Sequence, residues 1–114
     1  MHELGLAEDA LRKVKEEAKA KGLATVSFIK FQIGETLISD LEEFKELFSM
    51  ISTGTLAEGA KVEIEILPLK GNCAKCGKEI NLKVFRLDCP HCGSTNFEIT
   101  SGKELKVEIP FSHF

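Results

Sequence analysis

Four cysteines in two pairs are the residues best placed to bind a metal ion. The chain has no other cysteine, and the pairs stand in Cys73-Ala74-Lys75-Cys76-Gly77 and Cys89-Pro90-His91-Cys92-Gly93. A glycine after each pair permits the tight turn that brings two thiolates to one point. Two such pairs make a closed tetrahedral set of four sulfurs, the geometry of structural zinc sites. The pattern therefore predicts a Zn²⁺ site that builds structure and does no chemistry itself.

The same four thiols leave two alternatives open. Four-sulfur ligation also suits a single iron, as in rubredoxin-like electron carriers. Disulfides are possible too, but they fit a secreted chain better. His91 lies inside the second pair, and we expect it to face solvent without a functional role. His113 is given no role.

Length and charge narrow the class of protein. The chain has 114 residues, 43% of them hydrophobic and 29% charged, with a net charge of −3 and a pI near 5.6. This size suits one modest domain that carries a small metal module. An acidic chain lacks the cationic face that grips nucleic acid regardless of sequence. No apolar run is long enough to cross a bilayer, and no leader-like segment opens the chain, so a cytoplasmic protein with reduced thiols is expected.

The first half of the chain reads as alternating helices and strands. Apolar residues at spacings of three and four predict a helix over 3–21 that ends at Gly22. A segment rich in β-forming residues predicts a strand over 24–33. The Ser-x-x-Glu spacing that begins at Ser39 is typical of a capping box and predicts a second helix through about residue 51.

Two later segments alternate between apolar and charged residues. Residues 60–67 and 103–111 show this pattern, which is typical of antiparallel strands with one buried and one wet face. The cysteine segment, 71–102, lies between them and contains two short candidate strands, 79–85 and 97–100. We therefore expect an α+β fold, in which a mostly antiparallel three-stranded sheet is covered by two helices and carries an inserted four-cysteine zinc ribbon.

This organisation predicts two structural units. The α+β unit comprises 1–70 and 103–114, and the zinc ribbon comprises 71–102. A piece of about thirty residues buries too little surface to fold alone. Metal binding, worth on the order of 10 kcal/mol in such modules, would hold it together.

The order of several short motifs along the chain resembles the HypA/HybF family of hydrogenase maturation nickel metallochaperones. The resemblance covers nearly the full length. Its motifs are Met1-His2-Glu3-Leu4, Ile33-Gly34, Gly54-Thr55-Leu56-Ala57-Glu58-Gly59-Ala60, the two cysteine pairs, and Gly102-Lys103-Glu104-Leu105.

The resemblance implies a nickel site at Met1, His2 and Glu3 and a zinc site at Cys73, Cys76, Cys89 and Cys92. It also implies delivery of Ni²⁺ to the large subunit of [NiFe]-hydrogenase, together with a nickel-handling partner GTPase. Related proteins in some bacteria also serve urease. A monomer or weak homodimer is expected, with no nucleic-acid or membrane partner.

The N-terminal residues have chemistry that suits this role. The α-amine of Met1, the amide nitrogen of His2 and its imidazole can close two fused chelate rings on one ion. Nitrogen-rich planar donor sets suit Ni(II) and Cu(II). The amide or the carboxylate of Glu3 could supply a fourth donor. Since amine and amide donors must lose protons, the affinity for nickel should rise with pH.

Three other functions fit the sequence less well than a nickel chaperone. Zinc ribbons often serve as adaptors for nucleic acid or transcription machinery, but the basic and acidic residues of this one are nearly balanced. A rubredoxin-like electron carrier would need no body of this size. Catalysis is not expected, because the sequence shows no nucleophile–base pair, no phosphate-binding glycine loop and no open metal site of histidines and carboxylates.

Overall fold

The computed structural model describes residues 2–82, 88–89 and 91–110, with His2 described by its backbone alone. Met1 and residues 83–87, 90 and 111–114 are outside this description. The elements in it are α1 (His2–Ala20), β1 (Phe28–Gly34), α2 (Leu41–Ser52), β2 (Lys61–Leu67), β3 (Lys70–Cys73), β4 (Glu79–Asn81), β5 (Phe97–Ser101) and β6 (Leu105–Glu108).

The central strand of the first sheet is β1, in the order β2-β1-β6. Of the four strand pairings in the described part of the chain, three are antiparallel, as expected of a mostly antiparallel fold. The parallel exception is β1 with β2, which places Phe31 beside Ile64. The two strands are parallel because the connection that contains α2 returns the chain to the end of the sheet at which β1 begins.

The two helices share one apolar core with the inner face of this sheet. The ring of Phe31 makes edge contacts with Phe44 and Phe48 of α2, with centroids 5.8 and 5.2 Å apart. The buried members of this core are Leu6, Ala7, Ala10, Leu11, Val14, Ala18, Val26, Ile29, Phe31, Ile33, Phe44, Phe48, Ala57 and Ile109. The predicted α+β class and the two-helix cover are confirmed.

The predicted first helix is confirmed as α1, ending one residue earlier than expected. The N–H of Leu23 donates to the carbonyl of Ala18 and that of Gly22 to Lys19, at 2.9 and 3.2 Å. This Schellman pattern needs a left-handed residue, which Gly22 supplies with φ of 70°. No helix in the described ranges is long and apolar enough to span a membrane.

The second helix begins one residue later than the capping-box prediction required. Asp40 is its N-cap, and the Asp40 side chain accepts from the N–H of Glu43 at 3.0 Å. The hydroxyl of Ser39 instead donates to the carboxylate of Glu3, 36 residues earlier in the chain. The Ser39 capping box is therefore wrong, because a tertiary hydrogen bond takes the serine.

The cysteine segment forms a second sheet in the order β4-β3-β5. Both of its pairings are antiparallel. Strand β3 was not predicted, since its sequence, Lys70-Gly71-Asn72-Cys73, has no β-branched or aromatic residue. The small core of this sheet comprises Leu69, Cys73, Ile80, Leu82 and Cys89, with Phe97 packed against it.

Two glycines join the second sheet to the first. A side chain on Gly34 would overlap the carbonyl of Gly102, and one on Gly102 would overlap the backbone of Leu69. Gly102 also has a φ of 103°, which disfavours any other residue. The amide of Leu69 donates to the Glu35 carboxylate at 2.5 Å, and the hydroxyl of Thr36 to the Gly102 carbonyl at 2.7 Å. These contacts fix where the chain leaves the first sheet and returns to it.

Truncation of Phe31 tests the shared core. Phe31→Ala should lower the free energy of unfolding by about 3–5 kcal/mol, because a fully buried ring with two aromatic neighbours is lost. The matched change Phe28→Ala, on the same strand but half-buried, should cost clearly less. Urea denaturation followed by circular dichroism measures both, and equal losses would contradict the packing described.

Candidate metal centres

Each cysteine pair lies in a tight turn with the same backbone geometry. The N–H of Gly77 donates to the carbonyl of Cys73, and that of Gly93 to Cys89, both at 2.8 Å. Both glycines have a φ of 75°, the left-handed conformation that glycine adopts without strain. The glycines predicted from the sequence to permit these turns therefore do so.

The two turns bring all four sulfurs together. The Sγ atoms of Cys73, Cys76, Cys89 and Cys92 all lie within 4.8 Å of one another. Cys73 and Cys92 are 3.6 Å apart, and Cys76 and Cys89 are 3.7 Å apart. A tetrahedral ion with zinc–sulfur bonds of about 2.3 Å separates its sulfurs by about 3.8 Å. None of the four is in a disulfide, so the donor set fits one tetrahedral ion.

The thiols differ in their tendency to ionise. The N–H of Cys76 donates to Cys73 and, against the effect of desolvation, lowers the pKa of Cys73 to about 6. The N–H of Ser94 lowers the pKa of Cys92, but desolvation and the neighbouring sulfurs outweigh it and raise that pKa to about 11. Sulfurs this close titrate as a group, because each thiolate opposes the next. A divalent cation would remove this opposition and allow all four to ionise.

Two of the four cysteines are buried and two are exposed. Cys73 and Cys89 are buried among the small core of the second sheet, whereas Cys76 and Cys92 are exposed. His91 is exposed as expected, and its backbone N–H donates to the sulfur of Cys89 at 3.4 Å. A bound ion would thus join the core of the sheet to its surface, with no coordination position left for a substrate.

The predicted N-terminal site lies at the start of α1. Met1 and the side chain of His2 fall outside the described residues, so the predicted chelate of these two residues is not placed. His2 is the first residue of α1. The N–H groups of a first helical turn have no acceptor within their own helix. The N–H groups of His2 and Glu3 therefore have no acceptor within α1.

Glu3 is buried, and its carboxylate is held by the start of α2. Its Oε1 accepts from the N–H and hydroxyl of Ser39 at 2.9 and 2.7 Å, and from the N–H of Asp40 at 3.1 Å. The backbone and side-chain hydrogen bonds from Ser39 lower the pKa of Glu3 to about 2, against the effect of desolvation. The first turn of α1 is thereby tied to the N-terminal end of α2.

Sequence reasoning missed Ser39 as a partner of Glu3. The only sequence signal at Ser39 was its local Ser-x-x-Glu spacing, which favoured the wrong role. A hydrogen bond across 36 residues depends on the packing of α1 against α2, and no local pattern encodes it.

The chain matches the family model "Hydrogenase/urease nickel incorporation, metallochaperone, hypA" over residues 1–109. Similar proteins are named hydrogenase maturation factor HypA. Those of Acidithiobacillus ferrooxidans, Methanocaldococcus jannaschii and Nitrosospira multiformis are 32%, 34% and 36% identical, over 95%, 95% and 94% of this chain and 96%, 94% and 93% of theirs.

Solved structures share the fold. The solution structure of the Ni metallochaperone HypA from Helicobacter pylori superposes with a TM-score of 0.70 at 22% identity, covering 96% of this chain and 97% of that one. A second HypA solution structure gives a TM-score of 0.64 at 23% identity, covering 95% of this chain and 92% of the other. The family match and these relatives do not support a nucleic-acid adaptor or an electron carrier.

Replacing Glu3 tests its attachment to α2. Since its folded pKa of about 2 lies below the ordinary 4.5, ionised Glu3 stabilises the fold above about pH 4.5, and this contribution is lost as the pH falls toward 2. Glu3→Gln should therefore melt at a lower temperature than the wild type at pH 7, and the gap should close toward pH 2.

The control is Glu8→Gln, at an exposed position of the same helix. Melting followed by circular dichroism from pH 7 to pH 2 measures all three proteins. A Glu3→Gln gap that stays constant over this range would contradict the proposed role of the ionised carboxylate.

Proposed function

The chain belongs to the HypA family, and we propose that it carries Ni²⁺ at its N-terminus and Zn²⁺ at its four cysteines. The family consists of nickel metallochaperones for hydrogenase maturation, so the chain is such a metallochaperone and not an enzyme. The observation that carries the proposal is the family match over residues 1–109, which spans both candidate metal centres.

The proposed nickel donors are the α-amine of Met1, the amide nitrogen and imidazole of His2, and a donor from Glu3. Amine, amide and imidazole nitrogens in one short stretch make a planar set that suits Ni(II). Because Oε1 of Glu3 already accepts three hydrogen bonds, the amide nitrogen of Glu3 is the better fourth donor. The carboxylate of Glu3 would then hold the turn that presents the other donors.

The position of these donors suits a cargo rather than a resident metal. They lie at the end of the chain, where local opening is common and costs little. A partner could therefore take the ion without unfolding the core. The hydrogen bonds of Glu3 anchor the remainder of α1 to α2 while the first residues exchange their ion.

The four cysteines are the proposed zinc ligands. Thiolates in a tetrahedral set favour zinc, whereas nitrogen donors in a plane favour nickel, so ligand type would keep the two ions apart. The zinc would stabilise a unit of about residues 71–102, and the remainder, 1–70 and 103–114, would form the nickel unit. The separate cores of the two sheets support two units, and Leu69 and Lys70, which belong to the second sheet, move the start of the zinc unit to about residue 69.

The proposed partners follow from membership of the family. They are a nickel-handling GTPase of hydrogenase maturation and the large subunit of [NiFe]-hydrogenase, in the cytoplasm. The family description also names urease, which makes a urease system the second candidate client.

Replacing His2 tests the nickel site. His2→Ala should abolish tight nickel binding, because it removes the imidazole from the chelate, and it should leave zinc content and fold unchanged. Calorimetric titration of protein that begins at Met1 measures this. The matched control is His91→Ala, at an exposed histidine of the second cysteine pair, which should bind nickel as the wild type does.

A fusion ahead of Met1 tests the amine donor separately. It converts the amine to an amide, so nickel affinity should fall although every side chain is retained. Unchanged affinity in the fusion would contradict the amine donor, and unchanged affinity in His2→Ala would contradict the whole N-terminal site.

Replacing one cysteine tests the zinc site. Cys76→Ser should lose the bound zinc, because three thiolates hold the ion less well, and the small second sheet should open with it. Metal analysis gives the zinc content, and hydrogen exchange reports on β3 and β5. Lys75→Ala, at the neighbouring exposed residue, is the control. A Cys76→Ser protein that keeps a full equivalent of zinc would contradict the four-thiolate site.

A further inference from the structure

The β2 edge of the first sheet has a neighbour on one side only among the described residues. The N–H of Lys61 donates to the carbonyl of Ser27, and the carbonyl of Leu67 accepts from Glu35, both at 2.9 Å on the β1 side. Backbone groups alternate in direction along a strand, so those of Val62, Ile64 and Ile66 point away from β1. Within the described part of the chain, the backbone donors and acceptors of Val62, Ile64 and Ile66 have no strand to pair with, so they are available to an incoming strand.

The side chains of β2 give this edge two distinct faces. On the inner face, Val62 and Ile64 are half-buried, and Ile66 is 41% exposed. On the outer face, Lys61, Glu63 and Glu65 are exposed, and Leu67 is half-buried. The edge is thus aliphatic on one side, and on the other it carries two carboxylates beside one lysine.

Glu65 has a hydrogen-bond partner on β1, whereas Glu63 has only a neighbour in register there. Lys30 lies in register beside Glu63. Gln32 donates its side-chain amide to Glu65 at 2.9 Å. A strand added beyond β2 would place its own side chains next to the open sides of Glu63 and Glu65.

We propose that the β2 edge binds an extended segment of a partner protein in which lysine or arginine alternates with aliphatic residues. The backbone of the segment would pair with Val62, Ile64 and Ile66, which is the mode known as β-augmentation. Its basic side chains would lie beside Glu63 and Glu65, and its aliphatic side chains would cover Ile66. This proposal uses neither metal, so it stands or fails separately from the nickel function.

In the antiparallel register with the longest overlap, the charges of β2 favour such a partner over a second copy of the chain. An antiparallel copy that pairs Ile64 with itself places Glu63 opposite Glu65. A copy that pairs Val62 with Ile64 places Glu63 opposite Glu63 and Lys61 opposite Glu65, and it leaves Ile66 beyond the end of the other β2 strand. Like charges directly opposite each other destabilise a strand pair. A basic segment would place no like charge opposite Glu63 or Glu65. Charges at an exposed edge also discourage pairing with unrelated strands.

The test uses short capped peptides and the full-length, zinc-loaded protein. The probe alternates lysine with valine, and the comparison peptide alternates glutamate with valine. Titration followed by amide NMR should give shifts and slowed hydrogen exchange at Val62, Ile64 and Ile66 with the lysine peptide only. Binding of both peptides, or shifts spread over the acidic helix surfaces, would overturn the proposal.

Backbone methylation of the peptide supplies the matched control. In an extended peptide the valine N–H groups point to one side and the lysine N–H groups to the other. Methylating the set that faces β2 should weaken binding by about tenfold or more, and methylating the other set should not. If methylation at valine weakens binding, the segment pairs antiparallel to β2. If methylation at lysine weakens binding, it pairs parallel to β2. Equal affinity of both methylated peptides would overturn backbone pairing.

Charge removal in the protein tests the acidic face. The double variant Glu63→Gln with Glu65→Gln should weaken binding of the lysine peptide by about fivefold, from two exposed ion pairs. Glu42→Gln with Glu46→Gln, at exposed positions of α2, should leave it unchanged. Equal weakening by both variants would overturn the proposal. So would sedimentation of the free protein as a dimer with protected amides at Val62, Ile64 and Ile66.

Discussion

Four thiols within 4.8 Å of one another cannot all ionise unless a cation lies among them. The second sheet depends on this constraint, because its own core contains few residues and two of these are the ligands Cys73 and Cys89. The N–H groups of Cys76 and Lys75 in the first turn lower the pKa of Cys73, whereas desolvation and the neighbouring sulfurs raise the pKa of Cys92. A bound cation is therefore expected to stabilise this sheet. Its four sulfur ligands would leave no coordination position for a cargo ligand.

The first sheet and its two helices form a core that does not depend on a metal ion. Their core is complete without a metal, with Phe31, Phe44 and Phe48 in mutual contact. The start of α1 is tied to α2 through the carboxylate of Glu3. The close contact of Gly34 with Gly102 joins this part of the fold to the cysteine-bearing sheet. A cargo ion at the chain end and a structural ion in the second sheet are consistent with this division.

Much of this arrangement could be predicted from the sequence, because its signals are local. Cysteine spacing predicted the cluster, apolar periodicity predicted α1, and Gly22 marked its end. The parallel placement of β2, strand β3 and the role of Ser39 could not be predicted, since each depends on contacts between distant segments. Strand β3 has weak β-propensity and forms because β4 and β5 pair with it on both sides. Gly34 and Gly102 were visible in the sequence, but their close approach required the fold.

X-ray absorption at the zinc and nickel edges tests whether ligand type keeps the two metals apart. The sample is protein that begins at Met1 and is loaded with one equivalent each of zinc and nickel. We expect four sulfurs at about 2.3 Å around zinc, and only nitrogen or oxygen donors around nickel. Sulfur in the nickel shell, or a zinc shell of mixed donors, would contradict it.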